Sequence, residues 1–370
     1  MKILHSADWH LGARLFGQSR ADEMGVFFAS ILDVIKARDV SCLLVTGDLF
    51  DAKNPPHEAH EQFTSFARKV NDLGCDFVVT SGNHDPALLL RSLGQLTPSL
   101  RTFALTSRDQ LDDPLQFLLT YRDCGVLAAP FLSPALLGLD PTAALRDFYH
   151  RAIAAAREAL GDRPLIAAGH FAALAPAVGE DALDLSLGHL DVVDLASMPA
   201  PDCWALGHLH SLNDSLIQAG YAGSPLAFSF SDQAQKSMRL LTVEKGAVTV
   251  ELVPLTVGHQ LRQAKGSRQE LRQTLKAHSQ PAWWSLWCTE SVWLGELREE
   301  LEVLLPEGSE IIDLKASAML SQEEESELLS DVPDPMWYFD RIMKTAGLEE
   351  AQDQRMRSLY QACLEEVRSC

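Results

Sequence analysis

The sequence predicts a layered α/β protein, with sheet cores sandwiched by helices, followed by a small α+β domain. Three observations carry that expectation. Short apolar runs such as CLLVT, FVVTS and LIAA recur along the first 255 residues, helix-like segments such as EMGVFFASILDVIKARD lie between them, and the pattern changes past about residue 255. Apolar runs of strand length alternating with helical stretches mark strands buried on both faces and covered by helices. With 370 residues, 46% hydrophobic and 22% charged, the chain can form two or three domains with at least one sizeable core.

Taken in order, KILH leads to Ser6-Ala7-Asp8-Trp9-His10, CLLVT to Gly47-Asp48, and FVVTS to Gly82-Asn83-His84-Asp85; LIAA leads to Gly169-His170 and CWAL to Gly207-His208-Leu209-His210. Each run is followed, usually through glycine, by Asp, Asn or His. Groups just past the strand ends of a layered α/β fold converge at one rim of the sheet, and glycine there lets the backbone turn sharply and approach a ligand closely. The helix-like segment PPHEAHEQFTSFARKVNDLG opens on prolines suited to a first turn.

Past residue 255, LRQAKG, RQELRQTLKAH, PAWWSLWCTE, LGELREELEVLL and EIIDLKAS read as alternating strands and helices. Core packing, rather than base stacking, is the expected role of Trp283, Trp284, Trp287 and Trp293. SQEEESELLSDVPDP reads as an acidic, proline-bounded linker. The last stretch has two helix-like segments separated near Gly347, with Trp337, Phe339, Ile342 and Met343 forming an apolar stripe at roughly helical spacing. The expected units are therefore 1–255, 256–320, a linker at 321–333 and a helical docking segment at 334–370.

Composition narrows the function. A net charge of −20, from 31 Lys+Arg against 51 Asp+Glu, is not that of a protein that grips nucleic acid by its whole surface, so an anionic substrate needs local positive charge. No apolar run approaches the length of a membrane span and no signal-peptide core opens the chain, so the expectation is no membrane and a cytoplasmic location. Seven cysteines without any C-x-x-C suit a reducing compartment and argue against a disulfide frame or a thiolate zinc site.

Singly, each ligand-type residue has an ordinary reading: Asp8 or Asp48 as a helix cap, Asn83 as a turn residue, His10 or His170 as a plain histidine. Five strand ends that all deliver such residues point instead to a metal centre of Asp8, His10, Asp48, Asn83, His170, His208 and His210. Alternate residues of a strand share a side, so His208 and His210 can address one point or two neighbouring points. His189, in GHL, lacks a second histidine and a preceding apolar strand; His57 and His60 lie three apart on a helix and read as a solvated face. Carboxylate, imidazole and amide donors without thiolate suit Mn²⁺ or Fe²⁺, with Zn²⁺ also compatible. Seven donors exceed one ion and suit two divalent ions sharing Asp48 as a bridge, about 3.5–4 Å apart as in two-metal hydrolases.

The set D-x-H, G-D, G-N-H-D, G-H and G-H-x-H, in this order, resembles the calcineurin-like metallophosphoesterases. The fuller stretches ILHSADWHLG, VTGDLFD, SGNHD, ALGHLH and YAGSPLAFSF are similar to the bacterial nuclease subunits of that family, most specifically over residues 1–255. The resemblance implies a two-sheet metallophosphoesterase sandwich flanked by helices, then a capping domain that helps to position DNA. It implies one ion on Asp8, His10, Asp48 and His210 and a second on Asp48, Asn83, His170 and His208, with Mn²⁺ the expected metal. It also implies a DNA exonuclease and endonuclease regulated by an SMC-like ATPase partner, and a homodimer that forms a heterotetramer with it.

His84, beside Asn83, is expected to stabilise developing charge, with Asp85 orienting its imidazole. Archaeal and eukaryotic relatives carry a histidine where this chain has Asp51, so no role for Asp51 carries over. Arg14 and Arg20, in HLGARLFGQSR, are candidates for phosphate contact beside their reading as solvated loop charges. Two rival functions stay open: hydrolysis of a small phosphoester, and a mainly structural subunit that recruits the ATPase. The complete ligand set disfavours the second, and the extra domain and apolar tail disfavour the first.

Overall fold

The computed structural model describes residues 1–174, 193–232 and 234–317. The expected linker at 321–333, the helical segment at 334–370 and His189 lie outside the described residues. The main strands of the N-terminal part are β1 Lys2–Ser6, β2 Cys42–Thr46, β3 Asp76–Thr80, β4 Leu100–Phe103, β5 Leu118–Thr120, β6 Gly125–Ala128, β7 Leu165–His170, β8 Cys203–Gly207, β9 Ser237–Glu244 and β10 Ala247–Pro254. The main helices among them are α1 Ala21–Arg38, α2 His57–Asp72, α3 Ala87–Leu93 and α4 Pro141–Leu160.

Six strands form one sheet in the order β10-β9-β1-β2-β3-β4, parallel from β1 to β4 and antiparallel at β9 and β10. Four form a second, in the order β8-β7-β6-β5, parallel except at β5. The period-two alternation of strands explains how the sheets meet. Ile3, Cys42, Leu44 and Val78 of the first sheet share a core with Val126, Ala128, Ile166 and Ala168 of the second. The intervening Leu4, Leu43, Phe77 and Val79 face the other way, onto Phe27, Phe28 and Ile31 of α1 and Phe63, Phe66 and Val70 of α2. Leu127, Leu165 and Ala167 likewise meet Phe148, Ala152 and Ile153 of α4. Burial on both faces is why runs such as CLLVT, with all five residues buried, are apolar throughout. Each fully buried Leu or Phe contributes about 1.5–3 kcal/mol, so these layers hold the strand ends firmly.

Local signals set the helix ends. Asp140 accepts a hydrogen bond from the Ala143 amide and Pro141 opens α4, while Pro56 stands just before the first turn of α2 rather than inside it.

Beyond residue 255, β11 Gln260–Gly266, β12 Ala282–Cys288 and β13 Glu310–Ala316 form a parallel three-stranded sheet connected through α5 Arg268–Ala277 and α6 Leu294–Glu302. Leu271, Leu275, Leu297 and Leu301 cover one face of it, against Trp284, Leu286 and Ile311. Ser267 and Glu270 close a reciprocal capping box at the start of α5. On the other face Leu261, Trp283 and Ile312 pack against Leu15 and Phe230. The four tryptophans therefore divide: Trp283 and Trp284 are core residues as expected, whereas Trp287 and Trp293 are 46% and 78% exposed. Trp287 lies near the end of β12 and Trp293 caps α6, both beyond the packed rows.

Arg20 sits at the junction. Its guanidinium pairs with Glu23, donates to the Ala227 carbonyl at 2.8 Å and lies over the rings of Trp283 and Phe228 at 5.3 and 5.8 Å. Glu23 accepts the His259 amide at 2.7 Å, and the His259 ring stacks on Trp283 at 4.3 Å. Among the described residues Cys42, Cys75, Cys124, Cys203 and Cys288 are free thiols, all buried except Cys203, and no helix is long and apolar enough to cross a membrane.

Candidate metal centre

The segments following β1, β2, β3, β7 and β8 meet at one rim of the sandwich. The first two are zipped together: the Asp8 amide donates to the Gly47 carbonyl at 3.1 Å, His10 to Asp48 at 3.0 Å and Leu11 to Leu49 at 2.9 Å. Four residues of this rim, Asp8, His10, Asp48 and His208, take left-handed backbone with φ of 53°, 47°, 48° and 98°. Such conformations are costly for residues with a Cβ and persist where surrounding structure enforces them. The glycines serve close approach. A Cβ on Gly47 would stand 2.0 Å from Nδ1 of His170, and one on Gly82 would stand 2.1 Å from Oδ1 of Asp48.

The side chains converge. Ligand atoms of Asp8, His10, Asp48 and His210 all lie within 4.8 Å of one another, with Nε2 of His10 and of His210 only 3.0 Å apart. Oδ2 of Asp48 is 3.7 Å from His10 Nε2 and 3.3 Å from His170 Nε2. On that second side, Oδ1 of Asn83 is 3.0 Å from His170 Nε2 and 3.2 Å from His208 Nδ1. Asp48 thus stands between two donor groups. The Thr46 carbonyl can only accept, so His170 donates to it through Nδ1 at 3.0 Å, which leaves Nε2 as the nitrogen that faces the centre. Asp8 is held by the His208 amide, which lies 3.0 and 3.1 Å from its two oxygens. Imidazole, carboxylate and amide donors at these spacings fit divalent cations.

Charge at the centre is balanced by protons. Burial pushes Asp8 up to about 6, although the neighbouring His170 opposes the rise. At Asp48 burial is outweighed, chiefly by His170, and the carboxyl is held below its usual range. His170 rises to about 9 because the Asp48 and Asp8 carboxylates overcome the effect of burial. His208 and His210 fall to about 4 and about 3, through burial first and then through His170 and His10 respectively. The last two histidines are neutral, with lone pairs available.

His84 lies beside the ligands, whereas the contacts of Asp85 and Arg20 depart from the sequence reading. His84 is exposed; its Nδ1 donates to the Asp51 carbonyl at 2.7 Å and its amide to Oδ1 of Asp48 at 2.9 Å. Asp85 does not serve the His84 ring. It turns inward and accepts the amides of Leu49, Phe50 and Gly82 at 3.1, 2.9 and 2.8 Å, fastening the β3 loop to the β2 loop. The buried Arg20 is committed to Glu23 and presents no free guanidinium to phosphate, whereas Arg14 is exposed and bonds the Gly17 carbonyl at 2.9 Å through Nε.

Residues outside the expected set also shape the rim. Phe228 packs its ring 5.1 Å from that of His10 and 5.7 Å from that of His210. Lys53 donates to the carbonyls of Asn83 and Asp85 at 2.8 and 3.0 Å. YAGSPLAFSF, which carries Phe228, was a sequence signal without an assigned role; nothing in the sequence marks Lys53.

Residues 1–212 match a family model described as calcineurin-like phosphoesterase. The SbcD subunit of the nuclease SbcCD from Escherichia coli (strain K12) is 27% identical over 400 residues, spanning 98% of each chain. Its counterparts from Rhodobacter capsulatus and Bacillus subtilis (strain 168) are 34% and 31% identical over 260 and 264 residues, which is 63% and 66% of this chain and 64% and 67% of theirs. With the ligand-bearing loops and the match over more than half of its length, the chain belongs to the calcineurin-like phosphoesterase family, in the branch of the SbcD nuclease subunits.

Proposed function

We propose that the protein is an SbcD-like nuclease subunit that hydrolyses DNA phosphodiesters, as a double-strand exonuclease and as an endonuclease on ends and hairpins, in DNA repair and recombination. The observation that carries the reading is Oδ2 of Asp48 standing between the His10 and His170 imidazoles. Asp8, His10, Asp48 and His210 would hold one divalent ion, and Asp48, Asn83, His170 and His208 the other, with Mn²⁺ the preferred metal. When bound, such a pair supplies Lewis-acid polarisation of the phosphate and the acidity that ionises water near neutral pH.

The chain's own groups supply the rest. With Nδ1 of His84 committed to the Asp51 carbonyl, Nε2 is the nitrogen His84 presents at the open lip of the centre, and in the imidazolium form, with both nitrogens protonated, it donates to a phosphate or leaving-group oxygen. Phe228 backs His10 and His210 with an apolar surface that limits water behind them. Because Arg20 is engaged within the chain, attraction of DNA falls to the metal centre, to the exposed Arg14 and to a partner. That partner is an SbcC-type SMC-like ATPase, docked on the stripe of Trp337, Phe339, Ile342 and Met343, with two copies of each subunit in a heterotetramer.

The test is cleavage of linear and hairpin DNA with and without Mn²⁺ and the ATPase. His84→Gln should keep both metals and lose about 10²–10³ in rate. Near-normal turnover by this variant removes His84 from the mechanism, and cleavage of bis(p-nitrophenyl) phosphate but never of DNA favours the small-phosphoester reading.

A further inference from the structure

The geometry points to Asp51 as a positioning residue that ties the metal ligand His10 to the catalytic His84, using its side chain for one and its main chain for the other. The inference rests on the two-ion reading of the centre. Asp51 is anchored three times. Its amide donates to the Leu11 carbonyl at 3.1 Å, in the loop that carries His10. Its carbonyl accepts Nδ1 of His84 at 2.7 Å, in the loop that follows β3. Its carboxylate Oδ1 lies 3.3 Å from Nδ1 of His10. Asp51 itself belongs to the loop after β2, so one residue links three of the loops that build the centre.

The two arms act differently. The His10 ring has Nε2 directed at His210 and Asp48, so Nδ1 must carry the proton if Nε2 is to offer a lone pair. That Nδ1 has no well-aimed hydrogen-bond partner and lies buried, which leaves the Asp51 carboxylate as the group that selects its tautomer and ring angle. The His84 arm uses a carbonyl oxygen that every residue possesses. An Asp51 carboxylate oxygen also lies within 4.8 Å of a His84 ring nitrogen, but the hydrogen bond to His84 is made by the carbonyl, so replacing the Asp51 side chain cuts the arm to His10 and leaves that hydrogen bond in place. The Asp51 side chain is 45% exposed, so its replacement leaves no cavity in the packed layers.

The consequence is selective. Loss of an outer carboxylate behind a ligating histidine costs about 10–100-fold in metal affinity or activity. In Asp51→Ala this loss should fall on the ion held by His10, whereas the ion held by Asn83, His170 and His208 should be unaffected. Asp51→Asn keeps an acceptor oxygen at the same place and should restore most of the affinity.

Calorimetric titration of the metal-free full chain with Mn²⁺ reads both sites separately, and hydrolysis of bis(p-nitrophenyl) phosphate follows each variant without requiring that DNA be the substrate. The expected result is one weakened and one unchanged Mn²⁺ site in Asp51→Ala, activity recovered at raised Mn²⁺, and Asp51→Asn within a few-fold of the parent. The inference is overturned if Asp51→Ala binds both ions as tightly as the parent, if both sites weaken equally, or if Asp51→Asn falls as far as Asp51→Ala. Failure of the parent to cleave DNA would count against the nuclease reading alone, since metal titration is independent of it.

Discussion

The two parallel-stranded regions of this chain use the same materials to different ends. In the sandwich, the segments past β1, β2 and β8 carry Asp8, His10, Asp48 and His208 in left-handed backbone. In the three-stranded sheet, β11 runs into a regular capping box at Ser267 and Glu270, and none of the non-glycine left-handed residues falls in β11–β13, α5 or α6. Strand ends in a packed α/β layer are cheap to build, and most are merely capped. The rim of the sandwich differs because it holds about 1–3 kcal/mol of backbone strain at each such residue, maintained by the layers beneath it. Left-handed backbone is not confined to the rim, since Lys245 in the turn after β9 also has a φ of 51°; what sets the rim apart is that four such residues converge there and three strand ends supply them.

The largest effect expected from breaking this contrast comes from Asp48→Ala. Removing the carboxylate between His10 and His170 damages both donor groups, so Mn²⁺ binding should weaken at both sites and phosphodiesterase activity should drop to background. Metal analysis after gel filtration checks this, and two tightly held ions per chain would exclude the bridging role. Asp48→Ala should also leave α5 and α6 undisturbed, since no part of the three-stranded sheet depends on that carboxylate.

A smaller effect compares two glycines. In Gly82→Ala the new methyl would meet the Asp48 amide nitrogen at 2.2 Å, a backbone atom that cannot move without disturbing a ligand. A loss of about 1–3 kcal/mol from overpacking is expected, together with weaker metal binding. In Gly266→Ala the nearest atom is Oε2 of Glu270 at 2.8 Å, the side-chain end that closes the α5 capping box, so the loss should be that of a helix cap, about 1 kcal/mol, with metal affinity unchanged. Urea unfolding with parallel metal titration separates the two, and equal losses of metal affinity would erase the distinction between the regions.

The gentlest perturbation is pH. His170 is raised from 6.5 to about 9, so in the metal-free protein its stabilising contribution is complete below about pH 6.5 and is lost as pH rises through 9. Asp8, raised to about 6, loses its contribution as pH rises from about 4 through 6. The melting temperature of the metal-free chain should therefore fall from pH 6.5 to 9, while Mn²⁺ affinity climbs over the same interval as His170 gives up its proton. A melting temperature that rises with pH would contradict the charge balance described for the rim.

Much of this architecture was legible in the sequence, for physical reasons. Two-sided burial makes strands apolar from end to end, and the five changes from apolar run to ligand-type residue are visible as letters. The direction of a side chain within a loop is not. Asp85 follows His84 in the sequence, yet three amide donors draw it inward, and the orienting role expected of it has no counterpart in its contacts. Arg20 reads as a loop charge because neither Glu23 nor Trp283 announces that it will enclose a cation. Left-handed backbone at Asp8 or His208 leaves no mark on composition, and the position of Asp51 depends on three loops that only the fold brings together.

The pairing of β1 with β9 matches Lys2 to Thr242 and His5 to Arg239. The second strand of the sheet to be synthesised cannot close β1 on that side, so the first strand of the chain waits for its antiparallel neighbour until Ser237–Glu244 has been made. Contacts of such sequence separation make closure slow and expose an unpaired edge in the meantime. His208 and His210 emerge only shortly before β9 does. A ribosome-bound chain therefore acquires its complete ligand set and its closed sheet at nearly the same moment, and a chain truncated ahead of Ser237 would carry every ligand while lacking the strand that seals β1 in place.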